Sequence, residues 1–131
     1  RDLVRSRGLG DVYKRQGGFL WVDDNYGLDA SFRQMVAALY PEAELVPLSG
    51  DHPIYRSFYR LPGLPKIHEH DGDPAQGFGL FREGRMVLFY SWSSDIGDGL
   101  EDPSVHGDGP EAREAAMRMA VNVCVYALTQ P

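Results

Sequence analysis

The sequence predicts an α/β domain built on a mostly parallel sheet that ends in an antiparallel hairpin. Three observations carry that expectation: an apolar run followed by a helical pattern and a second short run, two strand-like segments joined at Glu83-Gly84, and a long C-terminal segment of helical character. With 131 residues the chain has room for one domain and not two, and 43% hydrophobic residues is an ordinary share for a protein with a single core.

Gly17-Gly18 leads into Phe19-Leu20-Trp21-Val22, and the run ends in Asp23-Asp24-Asn25 and Gly27. A continuous apolar run bounded by turn residues predicts a strand covered on both faces, hence a central one. Phe32, Met35, Val36 and Leu39 then recur at i, i+3, i+4 and i+7. That spacing puts one apolar stripe on a helix, with Asp29 or Ser31 to cap its start and Pro41 to stop it. Glu44 to Leu48 predicts a short strand, which Pro47 confines to an edge or a strand end because proline has no N–H to give the ladder. Strand, helix and strand in so few residues predict a parallel βαβ unit.

Pro53 stands where helices begin, so Asp51 to Tyr59 predicts a short helix packing Ile54, Phe58 and Tyr55. Residues 60–76, with Pro62, Gly63, Pro65, Gly72 and Pro74, predict an irregular loop of a length usually tied to function or mobility. Phe78 to Arg82 and Met86 to Ser91 predict the two arms of a tight hairpin. After a second Gly/Asp-rich loop over 92–109, Pro110 opens a helix to Leu128 whose apolar face is Met117, Val121, Cys124, Val125 and Leu128. The strands starting at Phe19 and Phe78 are expected side by side in one sheet, which would make neighbours of the acids that follow Val22 and Ser91.

Residues 1–16 do not resemble the rest of the chain. The segment is basic and aperiodic, and Asp11-Val12-Tyr13-Lys14-Arg15-Gln16 resembles the translation of a transposase end sequence used to build sequencing libraries. The expectation is a non-native or disordered segment over 1–16, with a natural basic arm as the alternative, and the C-terminal portion of one domain over 17–131. The first sixteen residues hold five Lys/Arg and two Asp, a net of +3, so the chain's −6 becomes −9 for the remainder. A surface that acidic repels phosphate backbones, and nucleic acid is not an expected partner. No run approaches the roughly 20 apolar residues of a membrane-spanning helix. The single cysteine makes no internal disulfide and says nothing of redox compartment.

Several blocks together resemble one family: Gly17-Gly18-Phe19-Leu20 with Asp23-Asp24 and Gly27, Tyr40-Pro41, His52-Pro53-Ile54, Gly84-Arg85-Met86, Asp95-Ile96-Gly97-Asp98-Gly99, and Met119 to Asn122 with Tyr126 to Thr129. Their order and spacing resemble the bacterial domain-of-unknown-function family 4159. That resemblance implies a flavodoxin-type three-layer sandwich of the class I glutamine amidotransferase-like kind, here truncated at its N-terminus. It also implies a full-length protein that is exported or membrane-attached. The nucleophile of that superfamily would be a cysteine on a tight strand-to-helix turn. Cys124 stands instead in the last helical segment, so an active glutamine amidotransferase is not expected.

Candidate site residues follow from the rule that open α/β sheets bind ligands beyond the carboxyl ends of their strands. Asp23 and Asp24 follow the first strand; Ser94, Asp95 and Asp98 follow the last one, with Trp92 at the loop entrance as a ring for a sugar to stack on. His52, held extended by Pro53, completes the expected pocket. For catalysis the candidates are Asp24 or Asp95 as general base or metal ligand and His52 as acid. The plainer alternatives are that Asp24 and Asp98 cap turns and that His52 bonds locally to set the loop entry. His68 and His70 have His-x-His spacing in a Gly/Pro-rich loop, a weak metal signal, while His106 has no nameable partner. Trp21 and Tyr26 are the other aromatics beside these acids, and core packing explains Trp21 more simply than ligand stacking. The expected function is a ligand-binding or interaction domain of an envelope-associated protein, taking a small polar ligand or a protein partner. A hydrolase on a glycan or similar substrate and a structural module contacting partners through the 60–76 and 92–109 loops are the alternatives. No cofactor is expected.

Overall fold

The computed structural model describes residues 18–24, 27–68, 73–101, 107 and 109–130. The segment 1–16, Tyr26, His70 and His106 lie outside the described residues. Strand β1 (Leu20–Asp23) is followed by helix α1 (Asp29–Leu39), the two-residue strand β2 (Val46–Pro47) and a 3-10 turn at Pro53–Tyr55. Strands β3 (Gln76–Arg82) and β4 (Arg85–Trp92), a short helix α2 (Ile96–Gly99) and the long helix α3 (Pro110–Thr129) follow among the described residues.

The four strands form one sheet in the order β1-β4-β3-β2. Among the described strands only β1 and β4 pair in parallel; β3–β4 and β2–β3 are antiparallel. The expectation of a mostly parallel, flavodoxin-type or amidotransferase-like sandwich is therefore wrong: this is a mixed sheet in which antiparallel pairing predominates. The reason is the hairpin. Its arms of seven and eight residues offer far more ladder than the two residues of β2, and the hairpin inserts between β1 and β2. Pro47 cannot donate to a ladder, which leaves β2 at an edge. β1 is likewise an edge among the described strands, with Leu20 40% exposed, and not the central strand that its apolar run suggests. It also lies beside β4 rather than beside the strand carrying Phe78.

The hairpin turns at Glu83 (φ 54°) and Gly84 (φ 77°), two successive left-handed residues, the geometry that matches strand twist in a two-residue connection. Between Leu80 and Phe81 the register shifts, so Val87 is an extra residue on β4. Val87 and Leu88 consequently face the same side, while Met86 and Phe89 face the other. On the first side Leu80, Leu88 and Tyr90 pack against Phe32 and Val36 of α1. On the second, Met86 and Phe89 pack against Ile54, Tyr55 and the Ala116, Met119 and Val123 row of α3. Each large apolar side chain so buried contributes roughly 1.5–3 kcal/mol, which is why the sheet takes a helix on each face.

Helix α3 corrects a second expectation. Its predicted apolar stripe is not the buried face: Met117 is 54% and Leu128 86% exposed, Cys124 is exposed, and Val121 and Val125 are half-buried. The buried row instead contains a polar residue, Asn122, fully removed from solvent. Its Oδ1 accepts from the backbone N–H groups of Phe58 (3.1 Å) and Tyr59 (2.7 Å), and its Nδ2 donates to the carbonyls of Tyr55 (3.0 Å) and Tyr59 (2.8 Å). One amide thus satisfies four backbone groups of the 55–59 segment, and that need turns the helix so that Asn122 faces inward. Phe58, expected in the core, is 66% exposed and stacks edge-on against Tyr59.

Candidate functional site

Parallel pairing of β1 with β4 puts Asp23 opposite Ser91, so both strands end at the same edge. The two acidic segments expected to meet do meet there. Ser91 Oγ donates to Asp23 Oδ1 (2.6 Å) and accepts from the Trp21 indole N–H (3.0 Å). Asp23 also accepts from the backbone N–H groups of Ile96 (3.2 Å) and Gly97 (2.8 Å), which open α2. A carboxylate from one strand end thereby anchors the loop that leaves the other. Burial raises the Asp23 carboxyl above its ordinary value; these hydrogen bonds oppose the rise and the Asp95 charge adds to it.

The turn after β4 has two left-handed non-glycine residues, Ser93 (φ 61°) and Asp95 (φ 68°). Such backbone costs of the order of 1–3 kcal/mol per residue and persists only where surroundings enforce it. The enforcing contacts come from the 60–76 loop. Ser94 Oγ donates to the Pro65 carbonyl, Ile67 N–H donates to the Ser94 carbonyl (2.8 Å), and Lys66 Nζ donates to Ser93 Oγ (2.7 Å). Gly99 allows α2 to approach α3 closely, since a Cβ there would stand 2.6 Å from Ala116 Cβ. Stitched this way, the loop delivers His68 to the strand ends: its Nδ1 lies 3.0 Å from Asp95 Oδ2 and 3.4 Å from Asp98 Oδ2. Asp95 is 1% exposed, and His68 and Asp98 are about one-fifth exposed at 22% and 21%.

The remaining expected members separate. Asp24 is buried beside the same edge, but its Oδ1 accepts from Leu28 N–H (3.2 Å) and so shapes the entry to α1, the plainer capping alternative. Burial raises its carboxyl too, with the Leu28 bond opposing. Ser94 lies in the loop junction between Pro65 and Ile67. Trp92 follows Ser91 in a strand and therefore points to the opposite face, where it meets Phe78 edge-on at 6.5 Å. His52 is at the far end of the sheet: its ring lies 6.4 Å from that of Phe81, beside the hairpin turn, and 5.6 Å from Tyr126. Its Nδ1 accepts from Ile54 N–H (3.1 Å), the local bond that sets the entry to the 3-10 turn. His52 is thus removed from the acid role beside Asp24 or Asp95.

His68 is the residue that sequence reasoning undervalues. It stands out in the sequence only through its spacing to His70, whereas its partners lie 27 and 30 positions away in another loop. Ser91 hides in the same way within an apolar run, although a serine set among Phe89, Tyr90 and Trp92 is the available signal.

Cys124, the only cysteine in the sequence, is exposed within α3 and does not stand on a strand-to-helix turn. Among the described residues no helix is long and apolar enough to cross a membrane. No curated protein matches the chain. A family model does match, over residues 11–128, and so reaches into the basic opening segment. By that match, which covers most of its length, the chain belongs to the family described as Domain of unknown function (DUF4159).

Proposed function

We propose that the chain is a ligand-binding domain for a small polar molecule, with its site at the shared edge where β1 and β4 end. One observation carries this reading: a buried carboxylate, Asp95, a partly buried one, Asp98, and the His68 imidazole converge from two different loops onto one point. Buried charged groups are costly, and placing several at one loop-built edge is how proteins prepare a site for polar or charged ligands. The family resemblance supports an envelope-associated parent protein. The test is thermal melting of the metal-free chain against a panel of sugars, polyols and amines. A rise of several degrees with one ligand class, lost in Asp98→Asn, is the expected result; no response to any ligand rejects the reading.

A second reading is favoured by one distance. An imidazole Nδ1 held 3.0 Å from a buried carboxylate is oriented as the base of a water-activating dyad, which would make the domain a hydrolase with His68, not His52, beside Asp95. Turnover of a chromogenic glycoside or ester, abolished by His68→Ala with the fold retained, would favour the enzyme over the simple binder.

A further inference from the structure

We infer that His68, Asp95 and Asp98 form a site for a first-row divalent transition-metal ion of the Zn²⁺ or Mn²⁺ type. The inference rests on the ligand-binding reading above and makes a cation that ligand, or part of it.

The donor atoms are one imidazole nitrogen and two carboxylate oxygens, all within 4.8 Å of one another. Ligands bound about 2.0–2.2 Å from a common ion stand roughly 3.0 Å apart on an octahedral edge and 3.4 Å apart on a tetrahedral one. The two nitrogen-to-oxygen separations are 3.0 and 3.4 Å. A proton on Nδ1 lies along one direction and can make one well-aligned hydrogen bond, yet two carboxylates face the same nitrogen. An ion satisfies all three donors at once, since it needs no single axis and offsets the repulsion between the acids.

Exposed acidic groups commonly gather without any ion, but here Asp95 is 1% exposed and the other two donors are less than a quarter exposed. The three donors are also positioned by groups outside the set. The bonds from Ser94 and Ile67 fix the loop that carries His68, and the Asp23 carboxylate fixes the turn between Asp95 and Asp98. Supporting shells of this kind hold metal ligands in place. An imidazole among the donors selects against Mg²⁺ and Ca²⁺, which take oxygen, and favours the transition metals.

The experiment uses the full chain without a histidine tag, stripped of metal and titrated calorimetrically with ZnCl₂, MnCl₂ and MgCl₂. One equivalent of Zn²⁺ or Mn²⁺ is expected to bind and raise the melting temperature, while Mg²⁺ does not. His68→Ala and Asp98→Asn should each weaken binding by at least about 100-fold, more than a supporting contact would. His52→Asn, at the other end of the sheet, should leave it unchanged. Should either ligand variant fail to fold, Co²⁺ added to the unaltered chain gives a second measurement: visible absorption characteristic of mixed nitrogen and oxygen ligation is expected. No Zn²⁺ or Mn²⁺ binding, or equal binding in His68→Ala and the unaltered chain, overturns the inference. A melting response to sugars in the metal-free chain, with no response to metal, would leave the polar-ligand reading standing and remove the cation alone.

Discussion

The two ends of the sheet bury polar groups in opposite ways. At the hairpin end, His52 is a neutral acceptor for Ile54 N–H between the rings of Phe81 and Tyr126, and nearby Asn122 closes four hydrogen bonds with uncharged backbone groups. At the end where β1 and β4 finish, Asp95 and Asp98 face one imidazole, and the Asp23 and Asp24 carboxylates stand at the same edge, each held by backbone N–H groups. The first arrangement is complementary within itself and serves to hold the chain in place. The second concentrates like charge, which stability alone would not favour. For a histidine in this fold, the charge of what faces it therefore matters more than its backbone setting.

The largest effect on that contrast is expected from Asn122→Ala. If the 55–59 segment is held by this one amide, its loss removes four hydrogen bonds, leaves only the Tyr55 carbonyl with another donor, Leu61 N–H, and should cost about 3 kcal/mol, read from urea unfolding. A loss below about 1 kcal/mol would mean that packing of Tyr55 and Ile54 holds the segment without it. Next is Asp23→Asn. The amide keeps an acceptor for Ser91 and Ile96 but turns an N–H₂ toward Gly97 N–H, so a loss of roughly 1–3 kcal/mol is expected despite removal of a partly buried charge. A more stable variant would show that charge crowding outweighs anchoring at this end.

The smallest effect is in acid, where the two ends should respond with opposite sign. Burial holds the His52 imidazole below its ordinary value, with Asp51 opposing. The unfolded chain therefore takes up this proton first, and stability falls as the pH drops below about 6.5 toward the folded value. Asp23 and Asp24 are raised, so the folded chain holds their protons more tightly; stability falls as the pH rises from about 3.8 through their folded values, and acid restores it. His52→Asn retains an acceptor for Ile54 N–H and does not titrate. Urea midpoints at about pH 7.5 and 5.5, either side of the ordinary imidazole value, should differ less in this variant than in the unaltered chain. An unchanged difference would assign the acid response elsewhere.

Much of the local structure is legible in the sequence. The 3.6-residue spacing of Phe32, Val36 and Leu39 marks α1, Glu83-Gly84 marks the hairpin turn, and Pro110 marks the start of α3. The site is legible only in part. Asp23 and Asp95 are reached by their position after strands, while Trp92 is misplaced because strand alternation after Ser91 sends it to the other face. His52 is misplaced because Pro53 constrains its backbone without saying which end of the sheet the turn approaches.

The periodic elements, the turns and the acidic character of the strand ends are written in the sequence, because they depend on residues a few positions apart and on backbone sterics. Assembly of the whole chain settled the rest: that the hairpin inserts between β1 and β2, that α3 buries Asn122 rather than its Met117–Leu128 stripe, and that His68 meets Asp95 and Asp98. Those outcomes turn on pairings across tens of residues, where burial and hydrogen-bond satisfaction of the tertiary structure outweigh any local preference.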